Sequence, residues 1–410
     1  MNASGLRIAL LTHSVNPRGG VVHTLELAAA LHRRGCDVTV FAPAAAGETM
    51  FRQSPCPVVL AHVAASPRNL VEMVQGRIDA LKQALLEHEA GRFDVLHAQD
   101  SISGNALAEL KEADAIPGFV RTVHHLDHFD QPQLAHWQTR AWRDADTLLC
   151  VSESWTRAMR SEHGADAQMV PNGVDTARYS ATDAGSTDVM KGKGVALRAR
   201  LGIRSDVPVI LAVGGIEARK NTLRLLGAFA LLRAHLPDAQ LVIGGGASLL
   251  DHDRYTRDFI ARAAELDLAI GPQQPVVLTG PLDDADMPGL FRLADVVAMV
   301  SLREGFGLVV LEALATGKPV VVSQIEPFTG YLDARMCCWA DPEEPASIEQ
   351  ALRRALIARG GIDFIDAVPA LLRRFSWDAS ATRHLDLYDQ HLARVQRADR
   401  TLRMESTSCP

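Results

Sequence analysis

The chain has 410 residues, more than one hydrophobic core usually organises, so two domains are expected. Its 42 basic and 49 acidic side chains leave a net charge of −7, which argues against general nucleic-acid affinity, so any bound anion must be held by local donors. No apolar run reaches the ~18 residues of a membrane span, and the six cysteines lack a C-x-x-C pair, so neither a disulfide framework nor a zinc site is supported. Met1 to Gly5 has neither the charge nor the apolar stretch of a signal peptide, which sets a cytoplasmic expectation.

In chain order, short β-branched runs alternate with amphipathic segments: RIALL, VVHTLELAAALHRRG, DVTVF, then DVLHAQ, FVRTV and TLLCV with helical patterns between them. A turn-rich stretch, Ser180 to Gly194, reads as a connection, and the rhythm restarts with PVILAV, QLVIGGG, PVVLTG, DVVAMV and PVVVS. The expected architecture is α/β, two doubly wound Rossmann-like parallel sheets facing a cleft. The expected bounds are 1–180 for a first domain, 181–206 for a linker and 207–374 for a second domain. A helix over 375–395 is expected to pack back on the first domain, before a tail over 396–410. The tail arginines Arg394, Arg397, Arg400 and Arg403 recur every three residues and imply at most weak contact with a membrane surface. Ligands of such sheets sit beyond the carboxyl ends of the strands, which is where candidate residues are sought.

After the first strand, Gly19 and Gly20 precede an amphipathic helix, a turn that can receive a diphosphate but is not the G-x-G-x-x-G of a dinucleotide site. After FVRTV come His124, His125, Asp127 and His128. Consecutive residues of an extended chain point to opposite sides, so no metal is expected there. In VGGIEARKN, the cations Arg219 and Lys220 follow a strand and two glycines, where they can neutralise charge on a departing diphosphate. In SLREGFGLVVLEALATGKPVVVS, Gly305 and Gly307 open the backbone N–H groups of Gly307, Leu308 and Val309 to an anion at a helix start. Glu304 and Glu312 flank that loop. Singly they read as solvated acids; together around a glycine loop they read as contacts to two parts of one ligand.

The run E-G-F-G-L-x-x-L-E-A-x-A-x-G-x-P-V-V resembles the signature of the retaining GT-B glycosyltransferases, particularly the GT4 family, and Glu304 and Glu312 reproduce its E-x7-E spacing. The resemblance continues through G-G at Gly19 and Gly20, T-x-H at His124, VPNGVD at 170–175 and the lysine of G-R-x-x-x-x-K at Lys220, with Gly215 where many members have arginine. It implies that Glu312 holds the nucleotide ribose, that the amides of Phe306, Gly307, Leu308 and Val309 hold the diphosphate, and that Glu304 and His124 face the donor sugar. It further implies sugar transfer from a UDP-, GDP- or ADP-linked donor to an unidentified acceptor without a cofactor. A sugar-nucleotide epimerase of the same fold, or a non-catalytic nucleotide-sugar binder, stands as the alternative.

Overall fold

Each β-branched run becomes a strand, because strands of a parallel sheet are buried on both faces and so read as continuous apolar stretches. The computed structural model describes residues 5–63, 67–181, 188–246 and 253–407. The chain divides into two units, Met1–Gly173 with Trp377–Pro410, and Val174–Ser376. In the first, β1 (Arg7–Leu11), β2 (Asp37–Ala44), β3 (Val58–His62), β4 (Val95–Ala98), β5 (Val120–Val123), β6 (Thr147–Cys150) and β7 (Gln168–Met169) form a sheet ordered β3-β2-β1-β4-β5-β6-β7. In the second, β8 (Val209–Val213), β9 (Gln240–Gly244), β10 (Val276–Leu278), β11 (Val296–Met299), β12 (Val320–Ser323) and β13 (Cys338–Ala340) are ordered β10-β9-β8-β11-β12-β13. All strand pairs in both sheets are parallel.

Large side chains close each core: Phe41, Phe119 and Tyr388 in the first unit, Phe229, Phe259 and Phe291 in the second, all fully buried. A buried Phe contributes about 1.5–3 kcal/mol relative to leaving it in water. Topology then places the candidate loops. The helices Gly19–Arg33, Thr222–Arg233 and Leu308–Ala315 follow β1, β8 and β11 respectively, each starting at the carboxyl end of its strand. Because β8 and β11 are neighbours in the sheet, the loops that follow them meet.

The connection expected over 181–206 is partly helical. Residues 182–187 lie outside the described residues, but Asp188–Leu201 is a helix and Leu197 is buried. A β-carbon at Gly289 would meet Leu197 Cδ2 at 2.8 Å, so this helix packs into the second unit through a glycine notch. The last helix runs Trp377–Thr407, longer than the expected 375–395, and buries His384, Tyr388 and His391 in the first unit. Arg394 donates to the carbonyl of Asp146 and Arg397 to that of Ala393, so both are engaged with the protein; the side chains of Arg400 and Arg403 lie outside the described residues. Among the described residues no helix is long and apolar enough to cross a membrane.

Candidate functional site

In the second unit the turn after β8 is built on two left-handed glycines, Gly214 at φ +125° and Gly215 at φ +75°. A β-carbon at Gly214 would lie 2.8 Å from Lys220 Cε, so the missing side chain lets the lysine lie across the turn. A β-carbon at Gly215 would lie 2.6 Å from the carbonyl oxygen of Gly246, and its φ is one that side-chain-bearing residues rarely adopt. An arginine cannot occupy that position with this backbone. The turn is anchored by Asn221, whose amide donates to Val300 O at 3.0 Å and Pro342 O at 2.7 Å. Leu302 N donates to Arg219 O at 2.9 Å, joining the two loops directly.

This union brings three predicted residues to one point. Glu304 Oε1 accepts from Lys220 Nζ at 2.6 Å, from Arg219 Nη1 at 2.9 Å and from Ser301 Oγ at 3.0 Å. Burial opposes the charge on Glu304, yet the Lys220 and Arg219 cations and the donated hydrogen bonds outweigh it and hold its carboxyl below the usual range. Arg219 Nη2 also lies 3.5 Å from Glu217 Oε2, so two carboxylates and two cations share the cluster.

Beyond Glu304 the chain turns through Gly307, the N-cap of Leu308–Ala315, at φ +92°. A β-carbon there would fall 2.4 Å from Phe328 Cε1. The loop is backed by an aromatic wall in which Phe306 stacks on Tyr331 at 5.2 Å and meets Phe375 edge-on at 5.6 Å, while the half-buried Tyr331 donates its hydroxyl proton to Phe306 O at 2.7 Å. The Phe306 ring therefore faces inward, and this residue can address a ligand only through its backbone. The amides at the helix start, including Leu308 and Val309, carry the partial positive charge of a helix N-terminus.

Glu312 lies on that helix, half-buried. Tyr179 is hydrogen-bonded to it; burial first, and the Glu312 charge second, keep the phenol protonated, so it donates. The Tyr179 ring is held edge-on to Phe291 at 5.6 Å, and the adjacent Arg178 pairs with Asp284 Oδ2 at 2.7 Å.

In the first unit the helix Gly19–Arg33 begins directly at Gly19. A β-carbon at Gly20 would stand 3.9 Å from His124 Cδ2 and 4.0 Å from His13 Cε1, so Gly20 and His124 are neighbours, while Gly19 has nothing within 4 Å of such an atom. His124 Nε2 lies 3.3 Å from Gln99 Oε1, and its ring meets His23 edge-on at 4.6 Å. His23 Nδ1 is 2.9 Å from Asn172 Oδ1, which gives the asparagine of VPNGVD a side-chain contact to the helix that starts at Gly19. Burial, reinforced by neighbouring basic side chains such as His23 and Arg121, holds His124 well below the usual histidine range, so its ring is neutral. His125 and Asp127 pair with each other at 3.3 Å, and His128 and Asp130 at 3.6 Å; among the described residues no three such side chains converge to hold a metal ion.

Ser301, Glu217, Tyr179, Tyr331, Gln99 and His23 escaped the sequence reading. Ser301, which opens the glycine loop, and Glu217, two residues before Arg219, were within reach of it; the others depend on contacts between segments far apart in the chain.

The family model for Glycosyltransferase Family 4 matches residues 17–178, and that for Glycosyl transferases group 1 matches residues 196–360. A D-inositol 3-phosphate glycosyltransferase of Xylanimonas cellulosilytica is 30% identical over 94% of this chain and 97% of its own length. One of Salinispora tropica is 29% identical over 94% of this chain and 86% of its own. Among solved structures, Anabaena HepE in complex with UDP and glucose superposes with a TM-score of 0.75 at 20% identity, over 94% of this chain and 100% of that one. Sucrose-phosphate synthase of Thermosynechococcus elongatus superposes with a TM-score of 0.74 at 20% identity, over 95% of this chain and 99% of that one. With two parallel Rossmann-like sheets and relatives matching along nearly its full length, this chain is a glycosyltransferase of the GT4 family with the GT-B fold.

Proposed function

We propose that the chain transfers a sugar from a nucleoside-diphosphate donor to an acceptor hydroxyl with retention at the anomeric carbon. The observation that carries this reading is the cluster in which Lys220 and Arg219 converge on Glu304 beside the Gly307-capped helix. In the reaction the bond from the anomeric carbon to the diphosphate oxygen breaks, and negative charge grows on the leaving group. Lys220, Arg219 and the amides at 307–309 are cations and dipoles positioned beforehand to stabilise that charge, which is worth more in a poorly hydrated site than in water. Glu312 accepts from the ribose hydroxyls, and Glu304 orients the sugar. The helix start at Gly19 and Gly20 suits a diphosphate, and His124 contributes to binding the transferred sugar.

The triple hydrogen bonding of Glu304 Oε1 supports orientation rather than covalent attack, since a carboxylate oxygen already engaged by three donors is a weakened nucleophile. The acceptor hydroxyl then attacks from the face the diphosphate leaves, and its proton passes to the departing phosphate oxygen. The Anabaena neighbour, solved with UDP and glucose, supports trying UDP-sugars first. The names of the relatives make D-inositol 3-phosphate the first acceptor to assay. The test is incubation with UDP-, GDP- and ADP-linked α-sugars and a panel of acceptors, with NMR of the product. An α-linked product and free nucleoside diphosphate are expected. A β-linked product overturns retention, and a changed nucleotide sugar without transfer favours epimerisation.

A further inference from the structure

The carboxyl ends of β4 and β5 carry a hydrogen-bonded network of five side chains, all within the first unit. Tyr388 Oη lies 2.7 Å from His97 Nδ1. His97 Nε2 lies 2.7 Å from Thr122 Oγ1 and 3.3 Å from Gln99 Nε2. Gln99 Oε1 lies 3.3 Å from His124 Nε2. His97, Gln99, Thr122 and Tyr388 are all essentially inaccessible, so none can exchange a partner for bulk water. The backbone of Gln99 is fixed as well, its N–H donating to Leu11 O at 3.0 Å.

A carboxamide has one donating and one accepting end, so a glutamine between two imidazoles couples their tautomers. In this orientation its amino group donates to His97 Nε2, whose lone pair it shares with the Thr122 hydroxyl, so the His97 proton is on Nδ1 and is donated to Tyr388 Oη. Its carbonyl oxygen accepts the proton on His124 Nε2, which leaves the lone pair of His124 on Nδ1. Reversing the amide would reverse both tautomers together. The plane of the His124 ring is held separately by the edge of His23, whose own Nδ1 proton goes to Asn172 Oδ1.

We infer that Gln99, oriented by His97 and Tyr388, is a positioning residue that holds His124 as its Nε2–H tautomer and so presents Nδ1 as an acceptor to a hydroxyl of the reacting sugars. The inference rests on the reading above, in which His124 contributes to the transferred group. It makes the C-terminal helix, through Tyr388, part of the machinery that sets a residue near the chemistry.

Long-range 1H–15N spectra of the full chain labelled on histidine, with His124 assigned by its loss in His124→Asn, read the tautomer directly. The expected wild-type result at pH 7.5 is a protonated Nε2 and a bare Nδ1. Gln99→Met, similar in volume but without either polar end, is expected to give mixed His124 tautomers and to lower kcat by about 10- to 100-fold with the donor KM unchanged. A wild-type His124 protonated on Nδ1 overturns the inference, as does a folded Gln99→Met that keeps both tautomer and kcat. If Gln99→Met does not fold, Tyr388→Phe decides: displaced His124 signals are expected, and unchanged ones overturn the proposal. His124→Ala separates the two levels. Full transfer by that variant removes the underlying reading, whereas lost transfer with an unaltered tautomer in Gln99→Met removes only the role of Gln99.

Discussion

Lys220 Nζ stands 2.6 Å from Glu304 Oε1, and the lysine side chain is only 13% exposed. A lysine so held is not a solvated surface cation. Its charge is kept at one point by a carboxylate that is itself ionised, and Nζ has two further protons for a diphosphate. Lys220→Ala is expected to lower kcat by about 10²- to 10³-fold, the loss typical when one donor to developing negative charge is removed. Arg219→Ala is expected to cost less, because the guanidinium is 35% exposed and is shared with Glu217. Steady-state kinetics with folding checked by circular dichroism measure both, and wild-type turnover by a folded Lys220→Ala enzyme would remove the electrostatic assignment.

Restoring the arginine common in the family at position 215 is expected to fail. Gly215→Arg forces a side chain onto φ +75° and places a β-carbon 2.6 Å from the Gly246 carbonyl. The backbone strain and the overlap together are expected to destabilise the chain by about 2–4 kcal/mol. Thermal or urea unfolding measures this. In the background of Arg219→Ala the change is expected to restore no activity, and a stable double variant with recovered kcat would show that the turn accommodates arginine after all.

Ten strands were readable as apolar runs because both faces of a parallel sheet are covered. β7, with two residues, is too short to establish any periodicity, β13, with the sequence CWA, has no β-branched run to mark it, and the edge strand β3 is only half-buried along most of its length. The same division applies to the site. Glu304, Glu312 and Lys220 were legible as candidates because a glycine loop between strand and helix is a local pattern. The convergence of Arg219 and Ser301 on Glu304 was not, since it follows from β8 lying beside β11, a pairing between segments some 85 residues apart. Tyr179 on Glu312 and Gln99 on His124 were hidden for the same reason: each joins residues whose separation in the chain says nothing of their contact.

Gly307→Ala tests the helix start alone. The residue adopts φ +92°, and the added methyl would lie 2.4 Å from Phe328 Cε1, so either the aromatic wall or the loop must move. The expected outcome is a modest loss of stability, about 1–3 kcal/mol, with a larger loss of nucleotide affinity because the amides at 307–309 no longer converge. Thermal shift with and without UDP separates the two effects. Stabilisation by UDP equal to that of the wild type would argue that this helix start does not hold the diphosphate.

Acid is expected to destabilise the first unit well before carboxylates protonate. His23, His384 and His391 are buried, and burial is the largest cause that lowers them to about 3, about 4 and about 4 respectively. Unfolded histidines titrate near 6.5, so the unfolded chain binds these protons first. The contribution of each neutral ring is complete above pH 6.5 and is lost progressively as pH falls from there towards 4. At pH 5, about 1.5 units below the unfolded value, each ring forfeits about 2 kcal/mol. Glu304, held below its usual range, contributes in the same direction only at still lower pH. Urea unfolding followed at pH 7.5, 6.5, 5.8 and 5.0 should therefore show stability level above 6.5 and falling steeply below it. His391→Gln, which can still bond Thr147 Oγ1 in place of the 3.0 Å contact of the imidazole, should make that fall shallower. A stability that stays flat from pH 7.5 to 5.0 would mean that these imidazoles are already protonated, or reach water, in the native fold.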